Sequence, residues 1–144
     1  MKPLPHHYRV RATASVEGSV ALTAEGLPGL ESDAPAEFDG PGDRWSPEAL
    51  LTASVLSCFV LSFRAVTQAS RFEWTALDCE TVGSLERVDG VQRFTKFDLR
   101  ATLDLPVGSD AAKAERLLDK AKQLCLITNS LKAECRLERE VRER

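Results

Sequence analysis

Residues 46–70, SPEALLTASVLSCFVLSFRAVTQAS, decide the fold of this chain. Ser46 is a good N-cap residue, and Pro47 suits the first helical turn because the N–H that it lacks would have no helical partner there. Between Glu48 and Arg64 the stretch carries no charge and is apolar nearly all round. Such a pattern predicts a long helix that is buried on most sides. A chain this small has few other elements to surround it, so we expect either a sheet wrapped round the helix or a partner subunit.

The composition is that of one globular domain. The chain has 144 residues, of which 43% are hydrophobic and 28% are charged. This length allows one real core and is too short for two ordinary domains, so we expect residues 1–144 to form a single domain. The net charge of -3, from 19 basic and 22 acidic residues, gives no general attraction for nucleic acid, which is therefore not an expected partner.

The sequence predicts neither a membrane segment nor a secretory signal. The longest stretch without a charge, residues 49–63, is well short of the ~20 residues that a bilayer-spanning helix needs, and it contains several Ser and Thr residues. The first residues, MKPLPHH, lack the apolar segment of a signal peptide. We therefore expect a cytoplasmic protein, with no membrane partner, whose cysteines are kept reduced.

Before the long helix, the sequence predicts strands and then a loop. Alternating apolar residues predict two strands on either side of a turn at Gly18. Residues 26–47 are rich in Pro, Gly and Asp, so we expect a long loop there with one short strand near Ala36–Phe38. Loops of this length in compact domains are usually functional or lie at an interface.

After the long helix, alternation predicts a hairpin that turns at Asp89-Gly90. A second helix follows, capped by Ser109 or Asp110, and then a last strand. The order of strands, long helix, hairpin, helix and strand predicts an α+β fold.

The four cysteines are the candidate reactive or metal-binding groups of the chain. The gaps between them are 21, 46 and 10 residues, so no C-x-x-C pair of the thioredoxin or zinc-binding type is present. These spacings predict no metal site. The four positions are Cys58, Cys79, Cys125 and Cys135.

The cysteines fall into two groups. Cys79 and Cys135 lie on the apolar sides of predicted strands, where a cysteine usually packs as a small hydrophobe. Cys58 and Cys125 lie on separate helices, which suits a thiolate nucleophile and a second thiol that resolves its oxidised form as a disulfide. Neither lies at a predicted helix N-terminus, so a cationic neighbour has to stabilise the thiolate. By spacing alone, both could equally be core residues.

Three segments resemble the OsmC/Ohr family of thiol-dependent peroxidases. Residues 46–51, SPEALL, look like the N-P-E-x-L helix start of that family, with Ser in place of Asn. Residues 57–59, SCF, look like its A-C-F, ten residues after the glutamate. Residues 121–132 look like its second-cysteine segment, with Leu-Ile-Thr where many members have Pro-Ile/Val-Ser. The order of elements agrees as well, so the resemblance covers nearly the whole chain.

The resemblance implies a cofactor-free peroxidase for organic hydroperoxides that is reduced by a cellular dithiol. It implies that Cys58 is the peroxidatic cysteine, that Cys125 is the resolving cysteine, and that Glu48 orients an activating arginine. It also implies an OsmC-like fold, in which an antiparallel sheet wraps round a long buried central helix. It further implies an intertwined homodimer with the active sites at the subunit interface.

The arginine is where the chain departs from the family pattern. OsmC members place it just before a Phe in the loop that precedes the helix, whereas this chain has Glu37-Phe38. Arg44 is the only basic residue between Pro35 and Ser46 and is therefore the candidate replacement. The departure leaves two alternatives open: a non-catalytic OsmC-like dimer that binds an apolar ligand, and a thiol redox sensor.

Helix geometry bears independently on the dimer. Ten residues of helix separate Glu48 from Cys58, which corresponds to ~15 Å along the axis and about 80° around it. A glutamate side chain cannot cover that distance, and no helix breaker lies between the two residues. If they serve one site, the glutamate must come from the other chain.

Overall fold

The long apolar stretch forms an unbroken helix in the computed structural model, which describes residues 1–144. This helix is α1, Pro47–Ala69. Its start is the predicted one, since the Ser46 hydroxyl oxygen accepts a hydrogen bond from the N–H of Ala49 at 3.1 Å. Three helices and two three-stranded sheets confirm the α+β class. The contacts divide the chain into two compact units, Met1–Leu51 and Thr52–Arg144.

The first unit holds a small antiparallel sheet. Its strands are β1 (Arg11–Thr13), β2 (Val20–Thr23) and β3 (Leu30–Ser32), with β2 in the centre. The first two strands and the turn between them agree with the prediction, although both strands are short. The third was not predicted, because Leu30–Ser32 lies in a stretch dominated by loop residues.

The predicted strand at Ala36–Phe38 is wrong, since these residues form a 3-10 turn. The N–H groups of Phe38 and Gly40 both donate to the Pro35 carbonyl, at 2.9 and 3.0 Å. The chain folds back so tightly that a Cβ on Gly40 would lie 1.7 Å from the Ala34 carbonyl oxygen. A residue with a side chain does not fit there, so the glycine fixes the turn.

Within this chain, burial of α1 is confined to one stripe. Only 22% of its most apolar 18-residue window is buried, although the mean hydropathy of that window is 1.9. Its length and composition alone would suit a membrane span, but the core helix of a soluble protein passes the same test. Much apolar surface therefore remains uncovered by the chain itself, and Leu61 is 55% exposed. The buried residues are Val55, Phe59, Phe63, Val66 and Thr67.

The second unit contains the predicted hairpin. Strands β4 (Ala76–Val88) and β5 (Val91–Leu105) pair antiparallel around Asp89-Gly90. Both turn residues have positive φ, 51° and 79°, as a tight hairpin turn requires. The last strand, β6 (Glu134–Glu143), lies on the other side of β5 and runs parallel to it. The second sheet is therefore mixed, where an antiparallel sheet was expected.

Helix α2 (Ala111–Leu124) covers one face of this sheet. Asp110 caps it, because its carboxylate accepts a hydrogen bond from the N–H of Lys113 at 3.0 Å. A four-residue helix, α3 (Leu126–Asn129), follows directly. The alternation predicted for β5 is confirmed by the core, in which one face of the strand packs with one face of α2. These buried residues are Phe97, Leu99, Ala101, Leu103, Leu105, Ala114, Leu117, Leu118 and Ala121.

Gly83 on β4 lets α1 approach the sheet. A Cβ at this position would lie 2.8 Å from a ring carbon of Phe97, 3.0 Å from one of Phe94 and 3.0 Å from the Thr52 hydroxyl on α1. The two rings are stacked with centroids 5.1 Å apart. There is thus no room for a methyl group between the helix and the stacked rings.

We expect Gly83→Ala to lower the free energy of unfolding by ~1–3 kcal/mol, because overpacking forces the rings or α1 to move. In an unconstrained strand the same change would stabilise by ~0.5–1 kcal/mol. Urea denaturation measures the difference. Glu80→Gln, on the exposed face of the same strand, is the control and should stay within about 0.5 kcal/mol of the parent. A stabilised Gly83→Ala variant would contradict the close approach.

Candidate functional site

Cys58 lies half-way along α1 and is half-buried. The next residue, Phe59, and Val55 one turn earlier are both buried against the second unit's core. Cys58 therefore lies at the edge of the buried stripe, with its thiol partly accessible. Apolar side chains recur in every turn of α1 on either side of Cys58, and their packing fixes its position on the helix.

Cys125 lies at the junction of α2 and α3 and is only 1% exposed. Its backbone is extended, with φ -63° and ψ 104°, so it ends α2 and is also the N-cap residue of α3. The sequence predicted no helix N-terminus at Cys125, and this expectation is wrong. The start of α3 could not be predicted from the sequence, because Leu126 and Ile127 continue the apolar pattern of the helix before them.

The structure brings the two thiols together. The Cys125 sulfur lies 4.0 Å from the carbonyl oxygen of Val55, and Cys58 lies three residues further along the same helix face. The Cys58 thiol is close enough to Cys125 to raise the pKa of the Cys125 thiol. All four cysteines are free thiols, so the pair is in its reduced form.

The surroundings keep the Cys125 thiol protonated. Burial raises its pKa, the hydroxyl and backbone N–H of Thr128 lower it in part, and the neighbouring Cys58 raises it further. A buried thiol of this kind is a poor nucleophile until it loses its proton.

Arg44 and Glu48 belong to the first unit, where the arginine is bound by an acid. The Arg44 guanidinium forms an ion pair with Glu31 of β3 at 2.5 Å. The sequence did not predict this partner, because β3 itself was not predicted. Glu48 is half-buried in the first turn of α1, and Glu37 is exposed on the 3-10 turn.

An open groove of about 570 Å³ surrounds the Arg44–Glu31 ion pair. The indole of Trp45 lines it and is half exposed. The groove thus combines one cation, its acidic partner and an aromatic surface. Its lining residues are Gly29, Leu30, Glu31, Gly42, Asp43, Arg44, Trp45 and Ala49.

Cys79 and Cys135 lie on the core face of the second sheet, as predicted. Cys79 is directly opposite Ala101, and Cys135 is directly opposite Phe97. Burial and the nearby Asp78 carboxylate raise the pKa of Cys79 to about 11. Burial also raises the pKa of Cys135, although the ammonium of Lys122 lowers it in part. Neither thiol contacts Cys58 in the way that Cys125 does.

Comparisons with known proteins identify the relatives of this chain. Residues 40–140 match the family model described as OsmC-like protein. The chain is 25% identical to the uncharacterized protein YmaD of Bacillus subtilis, over 94% of this chain and 93% of that one. It is 31% identical to peroxiredoxin OsmC of Escherichia coli, over 65% of this chain and 64% of that one.

A solved structure shares the fold. The OsmC-like protein of unknown function from Vibrio cholerae aligns with a TM-score of 0.86, covering 94% of this chain and 100% of that one. The two sequences are 18% identical, so this likeness shows the fold and confirms the predicted OsmC-like architecture.

We expect Cys79 to react slowly with alkylating agents in the folded protein. A thiol with a pKa of about 11 has ~100-fold less thiolate at pH 8 than one at the ordinary value of 9.0. The alkylation rate should therefore rise about tenfold per pH unit until the pH approaches 11. Mass spectrometry of alkylated peptides at pH 8, 9 and 10 measures this rate.

Alkylation in denaturant is the control, since all four cysteines should then react at similar rates. Asp78→Asn removes the second cause of the shift and should accelerate Cys79 in the folded protein. Equal rates for Cys79 in the folded and unfolded chain would contradict the assignment.

Proposed function

This chain belongs to the OsmC-like protein family, and on that premise we propose that it is a cysteine-based peroxidase that reduces organic hydroperoxides. The observation that carries the proposal is the juxtaposition of Cys58 and Cys125: the Cys125 sulfur lies 4.0 Å from the Val55 carbonyl on α1, one turn before Cys58, and Cys58 raises the pKa of Cys125. Two neighbouring thiols on packed elements are what a peroxidatic and a resolving cysteine require, since the oxidised first thiol must meet the second.

In the first step, the Cys58 thiolate attacks the terminal oxygen of the hydroperoxide. The O–O bond breaks, the alcohol leaves with a proton, and Cys58 becomes a sulfenic acid. Accessibility supports this assignment, because Cys58 is half-buried whereas Cys125 is 1% exposed. Hydroperoxide from solution thus reaches Cys58 before it reaches Cys125.

In the second step, the Cys125 sulfur attacks the sulfenic sulfur of Cys58. A disulfide forms and water leaves, so two thiols and one hydroperoxide give a disulfide, an alcohol and water. A cellular dithiol then reduces the disulfide by thiol–disulfide exchange. The raised pKa of Cys125 is compatible with this order, because Cys125 is needed as a nucleophile only after Cys58 has been oxidised.

Apolar side chains near the thiols favour an organic hydroperoxide over hydrogen peroxide. Phe59 and Phe63, on the same helix as Cys58, are already covered by the chain's own core, whereas Leu126, next to Cys125, is 66% exposed. An alkyl group gains free energy by covering such surface, at about 25 cal/mol per Å², whereas hydrogen peroxide has no alkyl group to bury. We therefore assign organic hydroperoxides as the substrate class.

Arg44 is our candidate for the cation that stabilises the Cys58 thiolate, with Glu48 orienting it. Glu48 and Cys58 lie ten residues apart on one unbroken helix, which corresponds to ~15 Å along the axis. The Glu48 and Arg44 that serve one Cys58 are therefore assigned to a second copy of the chain. In this arrangement Glu31 competes for the guanidinium of Arg44, since the two form an ion pair.

The uncovered surface of α1 supports the homodimer. A helix with a mean hydropathy of 1.9 has only 22% of its most apolar window buried by its own chain. Leaving that surface in water is costly, and a second copy of the same helix offers a matching apolar surface. We propose a cytoplasmic homodimer in which α1 lies at the subunit interface.

One alternative has a specific observation in its favour. Glu37 occupies the position where OsmC members place the activating arginine, and Arg44 is already paired with Glu31. If no cation reaches Cys58, the same dimer would bind an apolar ligand beside the thiols without useful turnover. The thiol redox sensor would share the disulfide but not the turnover.

Turnover distinguishes these functions. We expect the parent to consume tert-butyl hydroperoxide catalytically with a dithiol reductant and much more slowly with a monothiol. Cys58→Ser should abolish consumption, because the attacking sulfur is gone. Cys125→Ser should stop after one equivalent with sulfenic acid at Cys58, or after two equivalents where that sulfenic acid is oxidised further to sulfinic acid. Monitoring residual hydroperoxide and the mass of the Cys58 peptide gives both results. Cys79→Ser is the matched control and should turn over like the parent.

Arg44→Ala should slow hydroperoxide consumption at pH 7 by about ten- to a hundredfold, as expected for the loss of one close cation. The rate of the variant should recover as the pH approaches that of free thiol ionisation, near 8.5. Initial rates from pH 6 to 9 measure the effect, with Arg9→Ala, in an exposed segment, as the control. If Arg44→Ala consumed hydroperoxide as fast as the parent, this result would favour the alternative of a non-catalytic protein that binds an apolar ligand.

The assembly is tested separately. We expect light scattering at micromolar concentration to give the mass of a dimer, with an interface well above ~2,000 Å². Leu61→Lys on α1 should dissociate or destabilise it, because an ammonium would be buried. Val82→Lys is the control, since Val82 on β4 is 56% exposed and Leu61 is 55% exposed. A stable, folded parent monomer would overturn the homodimer.

A further inference from the structure

A third thiol, Cys135, lies on the side of β6 that faces α2. An ion-pair cluster fixes how α2 lies over β6, since Arg139 binds Asp119 at 2.9 and 3.0 Å and Glu115 at 3.4 Å. Side chains two residues apart on a strand point to the same face, so Cys135, Leu137 and Arg139 all face α2. Cys135 is thereby on the face that the end of α2 reaches.

Cys125 and Cys135 lie at nearly the same level along the two elements. From Asp119 to Cys125 the chain advances six residues, or ~9 Å of helix. From Arg139 back to Cys135 it retreats four residues, or ~13 Å of strand. Only α3 and a short turn connect the two cysteines, so α2 and β6 run in opposite directions. The levels of the two thiols thus differ by about 4 Å.

The electrostatics of the two thiols agree with this proximity. Negative charge on Cys125 raises the pKa of Cys135, as does Asp98, and Lys122 lowers it. Salt largely screens interactions between accessible charges beyond about 8–10 Å. Cys135 is half-buried, whereas Cys125 is 1% exposed. Cys135 is therefore the more accessible of the two thiols.

We propose that Cys135 is a third redox thiol, which takes over Cys125 from the Cys58–Cys125 disulfide and so frees Cys58; this inference rests on the proposed peroxidase function. The Cys135 thiolate attacks the Cys125 sulfur. The Cys125–Cys135 bond forms, the Cys58–Cys125 bond breaks, and its electron pair leaves on Cys58 as a thiolate. The proton lost by Cys135 returns to Cys58 or to water. The exchange needs no oxidant or reductant beyond the hydroperoxide already consumed.

The exchange has two consequences. Cys58 becomes available for a second hydroperoxide before the chain has been reduced. The disulfide moves from Cys58–Cys125, which joins α1 to the end of α2, to Cys125–Cys135, which joins the end of α2 to β6. The dithiol then attacks the half-buried Cys135 sulfur. One chain thus removes two equivalents of hydroperoxide, the second ending as a sulfenic acid on Cys58.

Cys79 provides the matched control. Like Cys135, it is a half-buried strand cysteine on the core face of the same sheet. It lies opposite Ala101, four residues along β5 from the partner of Cys135, or ~13 Å away along the strand, and on the opposite side of β5. Its raised pKa, about 11, further disfavours the thiolate.

The first experiment is independent of peroxidase activity. Cys58→Ser, treated with one equivalent of diamide as a thiol oxidant, should form a Cys125–Cys135 disulfide in peptide maps. Cys58→Ser/Cys79→Ser should form the same disulfide, and Cys58→Ser/Cys135→Ser should leave Cys125 as a thiol or in an intermolecular link. Circular dichroism checks that each variant is folded. A Cys58→Ser map without Cys125–Cys135 would overturn the proposal, whatever the peroxidase assays give.

The second experiment follows the parent after one equivalent of tert-butyl hydroperoxide. Cys58–Cys125 should appear first and then decline as Cys125–Cys135 grows and free Cys58 thiol returns. Cys135→Ser should retain Cys58–Cys125. When excess hydroperoxide is added without reductant, Cys135→Ser should rapidly consume one equivalent, whereas the parent and Cys79→Ser should consume two. If the parent keeps the Cys58–Cys125 disulfide, the proposed exchange to Cys135 is overturned and the proposed peroxidase function is unaffected. A parent that is not oxidised at all overturns both, even if the diamide experiment succeeds.

Discussion

The packing of Cys125 against α1, beside Cys58, is the contact on which the proposed function of this chain depends. It requires α1 to lie against the junction of α2 and α3, and the Cys125 sulfur 4.0 Å from the Val55 carbonyl records that contact. The extended backbone of Cys125 ends one helix and begins another, which points its side chain into the core. A thiol tolerates that burial because it packs as a small hydrophobe while it stays protonated.

The same constraint explains the composition of α1. The helix has to present a buried stripe to its own sheet and place Cys58 at the edge of that stripe. Gly83 removes the side chain that would hold the helix away from Phe94 and Phe97, and the stripe from Val55 to Thr67 fills the space thus opened. The rest of the helix is as apolar as the stripe but has no cover within the chain. This uncovered apolar surface of α1 is the physical argument for a second subunit.

Much of this architecture could be predicted from local sequence signals. Ser46 and Pro47 mark the start of α1, Asp89-Gly90 marks the hairpin, and Asp110 caps α2, because each acts on backbone groups within a few residues of itself. The face of β5 that is buried follows from strict alternation. The parallel pairing of β6 did not follow, because alternation shows which face of a strand is buried but not which way its neighbour runs.

The candidate site was predicted in its residues but not in its contacts. Cys58 and Cys125 could be named from their settings and from the family resemblance, yet their meeting depends on packing between elements far apart in the chain. The Arg44–Glu31 ion pair joins a loop to a strand that is only three residues long, too short to leave a pattern. The proximity of Cys135 to Cys125 follows from the ion pairs between Arg139 on β6 and α2. These pairs join residues far apart in the chain, so the sequence does not predict them.

The most direct test of this account is the identity of the first disulfide. Fully reduced protein is mixed with one equivalent of tert-butyl hydroperoxide, quenched with acid at the earliest accessible times and mapped by mass spectrometry. The account predicts that the first disulfide joins Cys58 to Cys125, while Cys79 and Cys135 are still thiols. Oxidation that appears at all four cysteines together, in proportion to their exposure, would contradict it.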